Sequence, residues 1–197
     1  IRRIEADRQM RDTFQAIGDV DYRAVDVRDT DAMGALLASL YERYGRIDWV
    51  IHGAGVNEDK LFRDKSAESF ARVVETKVLG ARALVEGLRD GVKGVVFFSS
   101  IAGAFGNRGQ ADYAAANATL DAIARARDGQ GGTRWVSLGW GPWAGGGMVD
   151  EALERQYAKL GIGLIPPDEG VAACLAELGG SGGPHAVWMA ARPEDLI

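Results

Sequence analysis

The chain has 197 residues, 47% hydrophobic, 26% charged and 8% aromatic, enough apolar side chain to fill a core and too much for wholesale disorder or a low-complexity architecture. This length suits one domain rather than two. Its 23 basic and 28 acidic residues give a formal charge of −5 with no basic stripe, which argues against nucleic acid or an anionic membrane surface as partner.

Met10, Phe14 and Ile17 fall at helical spacing in a charged opening segment, so Ile1–Ile17 reads as a helix. Asp21–Val27 alternates as a short strand. Asp29-Thr30-Asp31 then starts a helix carrying Met33, Leu36, Leu37, Leu40, Tyr41 and Tyr44 on one face, which Gly45 stops. Ile47–Ile51 is a β-rich run that ends in His52-Gly53-Ala54-Gly55. A polar loop leads through Asp64 to a long helix, Ser66–Arg89, with Glu68 near its start. Gly94–Phe98 is apolar on both faces, as a parallel strand covered on each side would be. A glycine-rich loop, a helix over Ala111–Arg127 and a strand over Arg134–Leu138 follow. Helices over Val149–Leu160 and Pro167–Leu178 and a closing strand over Ala186–Met189 complete the chain. Strands alternating with helices predict an α/β doubly wound parallel sheet, with ligands at the carboxyl ends of the strands.

A single cysteine, Cys174, permits no intrachain disulfide and fits a reducing compartment. With two isolated histidines, His52 and His185, no metal site is expected. His52 reads as a packed histidine of its turn, and His185 as part of a terminal loop. No apolar run of about 18 residues and no signal-peptide pattern occurs, so a cytoplasmic location is expected.

Three polar side chains break the apolar pattern. Lys77 lies seven residues after Phe70, on the same stripe as Val73, Val74, Ala81 and Leu84; a lysine there either snorkels to water or holds its charge beside a partner in a cleft. Tyr113 and Asn117 share a face with Leu120 and Ala124 in the next helix. Between the two helices, Val95–Phe98 runs into Ser99-Ser100, where the crevice of a parallel sheet opens. Serine there serves equally as a turn cap. Taken together, hydroxyl, phenol and ammonium describe a carbonyl-reducing constellation: the phenol protonates an alkoxide, the ammonium pulls its pKa down from about 10, and serine polarises the carbonyl.

Phe98-Ser99-Ser100-Ile101-Ala102-Gly103, Gly109-Gln110-Ala111-Asp112-Tyr113-Ala114-Ala115-Ala116-Asn117, Val50-Ile51-His52-Gly53-Ala54-Gly55-Val56 and Trp140-Gly141-Pro142-Trp143 resemble the ketoreductase domains of type I polyketide synthases and polyunsaturated fatty acid synthases, members of the short-chain dehydrogenase/reductase superfamily. The resemblance extends over almost the whole chain. It implies NADPH-dependent reduction of a β-ketoacyl thioester on an acyl carrier protein to the β-hydroxyacyl thioester, within a multidomain synthase. The implied roles are proton donor for Tyr113, carbonyl hydrogen bond for Ser100, electrostatic tuning for Lys77, and support of the site and its waters for Asn117. Asp26 and Val27 would meet adenine, Gly53, Ala54 and Gly55 the adenine ribose, and Pro142 and Trp143, with Tyr113 and Lys77, the nicotinamide. Without the family, the Gly53–Gly55 turn reads equally as a plain tight turn, and Asp26 as a cap that Asp29 supplies better.

The same resemblance makes the segment of about 144–165 a mobile lid, and assigns Glu58, Asp59, Phe105 and Met148 to the substrate and lid side. Asn57-Glu58-Asp59 stand where one stereochemical type carries Leu-Asp-Asp, and Phe105 stands where the opposite type carries tryptophan, which implies a D-configured product. The family's glycine-rich pyrophosphate turn precedes the region matched by Ile1. The chain therefore reads as an N-terminally incomplete single catalytic domain whose sheet an upstream segment completes. The alternative is a non-catalytic, reductase-like structural domain of a synthase; a free-standing small-carbonyl reductase is disfavoured by Asn117, where such enzymes carry lysine.

Overall fold

A computed structural model describes residues 18–145, 151–159 and 161–190. The first helix, α1 (Thr30–Tyr44), begins where the Asp29 carboxylate accepts the Ala32 N–H at 2.9 Å, and ends at Gly45, whose φ of 76° is left-handed. That conformation lets the Gly45 N–H return to the Tyr41 carbonyl and favours glycine over any residue with a Cβ. Then come β1 (Trp49–His52), α2 (Ala67–Gly87), β2 (Gly94–Ser100), α3 (Ile101–Phe105), α4 (Ala111–Arg127), β3 (Arg134–Trp140), α5 (Glu151–Lys159), α6 (Pro167–Gly179) and β4 (His185–Trp188). Ser66 caps α2 through its hydroxyl, which accepts the Ser69 N–H at 3.2 Å.

The four strands are parallel and lie in the order β1-β2-β3-β4. His52 sits opposite Phe97, and Ser100 opposite Trp140, so the carboxyl ends of the first three strands open on one edge. Alternate side chains feed two cores. Val95 and Phe97 pack with Met33, Leu37, Leu84, Leu120 and Trp135 beneath α1, α2 and α4. On the other face Val96, Val136, Leu138 and Trp140 pack with Ile165 and Cys174. Burial on both faces is why these strands read as continuous apolar runs, and each fully buried side chain such as Phe97 contributes about 1.5–3 kcal/mol.

Two local expectations are corrected. Residues 21–27 form no strand; Asp21 is bound instead by Arg23, Arg43 and Tyr44, and the segment turns at Val27–Arg28. Alternation makes a strand only where a neighbour supplies backbone partners, and among the described residues none lies beside this segment or along the outer edge of β1. The glycine-rich segment after β2 is not all loop, because Ser100 caps the short helix α3, its hydroxyl accepting the Ala102 N–H at 3.2 Å. The other differences are of boundary: β2 and β3 run two residues further than their apolar runs, and the loop before α2 contains a single tight turn, Phe62–Asp64. The expected helix Ile1–Ile17 lies outside the described residues.

Gly103 lets α3 close onto α4. A Cβ there would stand 3.0 Å from both the Ala118 nitrogen and the Asn117 Cβ, against backbone that has little room to retreat. Gly103→Ala is expected to lower unfolding free energy by about 1–3 kcal/mol, measured by chemical denaturation; an unchanged midpoint would show that the two helices separate freely.

Candidate active site

Lys77 does not snorkel. It is 3% exposed, on the buried stripe of α2 that also carries Val73, Gly80, Ala81 and Leu84. Its Nζ donates to the Phe98 carbonyl at 2.8 Å, so the ammonium is held at the carboxyl end of β2. Burial lowers its pKa from 10.5 to about 8, and the charge of Asp121 opposes that fall. Asp121 is itself buried in α4, where its Oδ1 accepts the Ser137 hydroxyl at 2.5 Å and its Oδ2 lies 3.3 Å from His185 Nε2. Arg125 donates to His185 Nδ1 at 2.9 Å. His185 opens β4 beside the Asp121 carboxylate, rather than standing in a terminal loop.

Tyr113 enters from the first turn of α4, with its ring centroid 5.8 Å from the Lys77 ammonium. Burial raises the phenol pKa above 10.0, hydrogen bonding with the Asn117 and Ser100 side chains pulls it down, and Asp59 pushes it up. The expectation that the ammonium brings the phenol toward neutrality is therefore not met in this state. Lys77 is committed to the Phe98 carbonyl, and desolvation is the largest effect on the phenol. The result is a protonated phenol, which is the form a proton donor requires. Asn117, wholly buried, donates from Nδ2 to the Tyr113 carbonyl at 2.7 Å, while its Oδ1 has no hydrogen-bond partner among the described residues. Ser99 points to the other side of the strand and donates to the Asn117 carbonyl at 3.4 Å. Ser100 is both a helix cap and a hydrogen-bonding neighbour of the phenol.

The loop after β1 forms one wall. Glu58 accepts two bonds from Arg72, each at 2.9 Å, and one from Ser69 at 2.5 Å. The Arg72 guanidinium and the Ser69 hydroxyl hold its carboxyl at about 2, and this side chain serves as a clamp onto α2. Asp59 is the acidic residue whose charge acts on the phenol; Gln110 donates to its Oδ2 at 3.0 Å. Tyr157 of α5 also lies within electrostatic reach of Asp59 and Tyr113.

Other expected residues are more scattered. Asp26 is exposed and bound by Arg28 at 2.7 Å, and Val27 packs against the first core. His52 is buried, its Nε2 2.9 Å from the Lys77 carbonyl, and a Cβ at Gly80 would stand 2.7 Å from the ring. A Cβ at Gly53 would meet nothing within 4 Å, so open space adjoins the backbone there; Ala54 and Gly55 are half-buried beside it. Pro142 accepts the Ile165 N–H at 2.8 Å, whereas the Trp143 ring packs on Trp140 at 4.9 Å and covers Gly170. Phe105 ends α3, 63% exposed. Met148 lies outside the described residues.

Residues 2–145 match the family model of the KR domain. The chain belongs to this family. It is 39% identical over 83% of its length to polyketide synthase GfsB of Streptomyces halstedii, and 33% identical over 89% to polyketide synthase PksL of Bacillus subtilis. It spans only 3% and 4% of those proteins. A solved ketoreductase domain from the bacillaene assembly line matches 96% of the chain at 33% identity with a TM-score of 0.86, and the chain covers 47% of it. The same fold is seen in a short-chain dehydrogenase from Streptomyces avermitilis, which matches 88% of the chain at 20% identity with a TM-score of 0.74.

In this KR domain Lys77, Ser100, Tyr113 and Asn117 converge as periodicity and resemblance imply. Lys65, Asp112, Asp121 and Tyr157 also adjoin the site, and the sequence reading missed them. Asp112 passes for an ordinary acidic residue in a helix first turn, and its partner Lys65 is 47 positions away. Asp121 lies one turn beyond Asn117 on the same face, a polar break in the apolar stripe that could have been noticed.

Between about pH 8 and 10.5 the unfolded chain retains a lysine proton that the folded chain has released at Lys77, so this residue makes stability rise with pH across that window. Lysine-labelled carbon NMR should show one side chain titrating near pH 8. Asp121→Asn removes the charge that holds the value up, and the midpoint should fall further. A Lys77 midpoint at the ordinary lysine value would contradict the buried position.

Proposed function

We propose that this KR domain reduces a β-ketoacyl thioester, carried by an acyl carrier protein, to the β-hydroxyacyl thioester, with NADPH as reductant. The observation that carries the reading is the convergence of Tyr113, Ser100, Lys77 and Asn117 from α4, the end of β2 and α2. The substrate ketone stands within reach of Ser100 and Tyr113. Ser100 donates a hydrogen bond to the carbonyl oxygen and Tyr113 transfers its phenolic proton to that oxygen as negative charge develops. The Lys77 ammonium then stabilises the phenolate in a site with little water. Asn117 fixes the first turn of α4 through its bond to the Tyr113 carbonyl and offers its free Oδ1 to a water or a ligand group.

Two features fit a dinucleotide: the open space at Gly53, which a side chain would fill, and the orphaned Asn117 Oδ1. When bound, the nicotinamide supplies a hydride to the ketone carbon. Gly53, Ala54 and Gly55 would hold the adenine ribose and Asp26 and Val27 the adenine, with Asp26 leaving Arg28 to do so. The Pro142–Trp143 backbone would flank the nicotinamide, Trp143 supporting it from the core. The outer edge of β1, where Trp49 and Ile51 are exposed, is suited to pair with a further strand, and an upstream segment there would bring the phosphate-binding turn. Helices at such turns supply most of the pyrophosphate site. The chain thus acts as part of one ketoreductase domain among the other domains of a synthase.

On the substrate side the Asp59 charge acts on the phenol and Phe105 stands at the rim, with the segment 144–165, including Met148 and α5, as a lid that excludes water. Glu58 shapes this wall through Arg72 and Ser69, and the product is the D-configured β-hydroxy thioester. The test is consumption of reduced nicotinamide by the intact domain with a β-ketoacyl thioester. Tyr113→Phe should lower kcat by about 10²–10⁴ with nicotinamide binding retained. No consumption above background, or unchanged turnover in Tyr113→Phe, would replace this reading with that of a non-catalytic structural domain.

A further inference from the structure

The polar pair at the start of α4 takes no part in the chemistry described above. Asp112 and Lys65 form an ion pair whose side chains are 1% and 2% exposed. Lys65 comes from the loop after β1, and its Nζ also donates to the Glu58 carbonyl at 2.7 Å. Asp112 uses one carboxylate oxygen for this ammonium and the other for the Tyr113 backbone N–H, at 2.9 Å. That N–H is one of the first-turn amides a helix leaves without an internal partner, and Gln110, at the cap position, offers it no side-chain acceptor.

We propose that the Lys65–Asp112 pair positions Tyr113, setting where the phenol stands relative to the ketone; this rests on the reductase reading given above. A buried ion pair is a weak source of stability, since removing two charges from water offsets most of their attraction, and an apolar pair of similar volume often folds as well or better. A requirement on geometry accounts for its place here. One carboxylate joins the loop wall to the amide of the proton donor, and two further ties keep loop and helix in register: Lys60 N–H to the Gly109 carbonyl at 3.0 Å, and Gln110 Nε2 to Asp59 at 3.0 Å. The phenol and the wall facing it therefore move as one unit. A displacement of about 1 Å at a reacting group can cost on the order of a hundredfold in rate.

Two double variants of the intact domain, upstream segment included, separate geometry from stability. K65M/D112N removes both charges and keeps an oxygen that can accept the Tyr113 N–H; K65M/D112L removes the acceptor as well. K65M/D112N is expected to melt at or above the parent temperature, and K65M/D112L, which orphans the Tyr113 N–H, no more than a few degrees below it. With five tyrosines in the chain, nitrogen-labelled tyrosine resolves the Tyr113 amide. Its hydrogen exchange should stay slow in the parent and in K65M/D112N, and become fast in K65M/D112L. Turnover should follow: kcat lower by roughly tenfold to a hundredfold in K65M/D112L with KM for the nicotinamide unchanged, and near parental in K65M/D112N. A K65M/D112L protein with a slow Tyr113 amide and parental kcat would overturn the proposal. Should the parent itself show no turnover, the reductase reading fails while amide exchange still decides whether Asp112 holds Tyr113.

Discussion

The burial of one ammonium governs this molecule. Lys77 gives up water on a helix face that otherwise carries valine, alanine and leucine, and such a charge is tolerated only where fixed acceptors replace the solvent. The Phe98 carbonyl and the more distant Asp121 carboxylate do so. The first belongs to β2 and the second to α4, so the lysine of α2 reads the relative placement of three elements at once. Their apolar contacts, through Leu84, Phe97 and Leu120, keep that placement fixed. The core beneath the site is what allows a cation to remain above it.

Polar groups accumulate around this charge, and each is held by a neighbour rather than by water. Asp121 draws on Ser137 and His185, Asn117 on the Tyr113 carbonyl, Asp112 on Lys65 and the Tyr113 amide. In a low-dielectric setting such chains either satisfy every member or destabilise the fold. Among the described residues Asn117 Oδ1 and His185 Nε2 are left without a hydrogen-bond partner. Ser100 shows a related economy. Its hydroxyl caps α3 and faces the phenol, so the geometry that ends β2 also aims a hydrogen-bonding group into the crevice.

Much of this was legible in the sequence because periodicity is a local property. The stripe of α2 exposed Lys77 as an anomaly, the face of α4 exposed Tyr113 and Asn117, and the caps Asp29 and Ser66 marked where two helices begin. Doubly covered strands announced themselves as unbroken apolar runs, which gave the parallel sheet and hence the end of it where ligands bind. Residues 21–27 alternate like a strand yet form none, since a strand exists only through a partner and the local pattern does not carry one.

Tertiary structure alone decided which residues meet across long separations, and how much water each retains. Lys65 joins Asp112, Asp121 lies beside His185, and Glu58 turns toward Arg72 while its neighbour Asp59 accepts from Gln110. Chain order is silent on all of these, because a hydrogen bond depends on distance in space and a pKa on desolvation. For the same reason periodicity could single out Tyr113 and Lys77 as inward-facing polar groups, which the fold places 5.8 Å apart, but not the upward shift of the phenol, which burial sets.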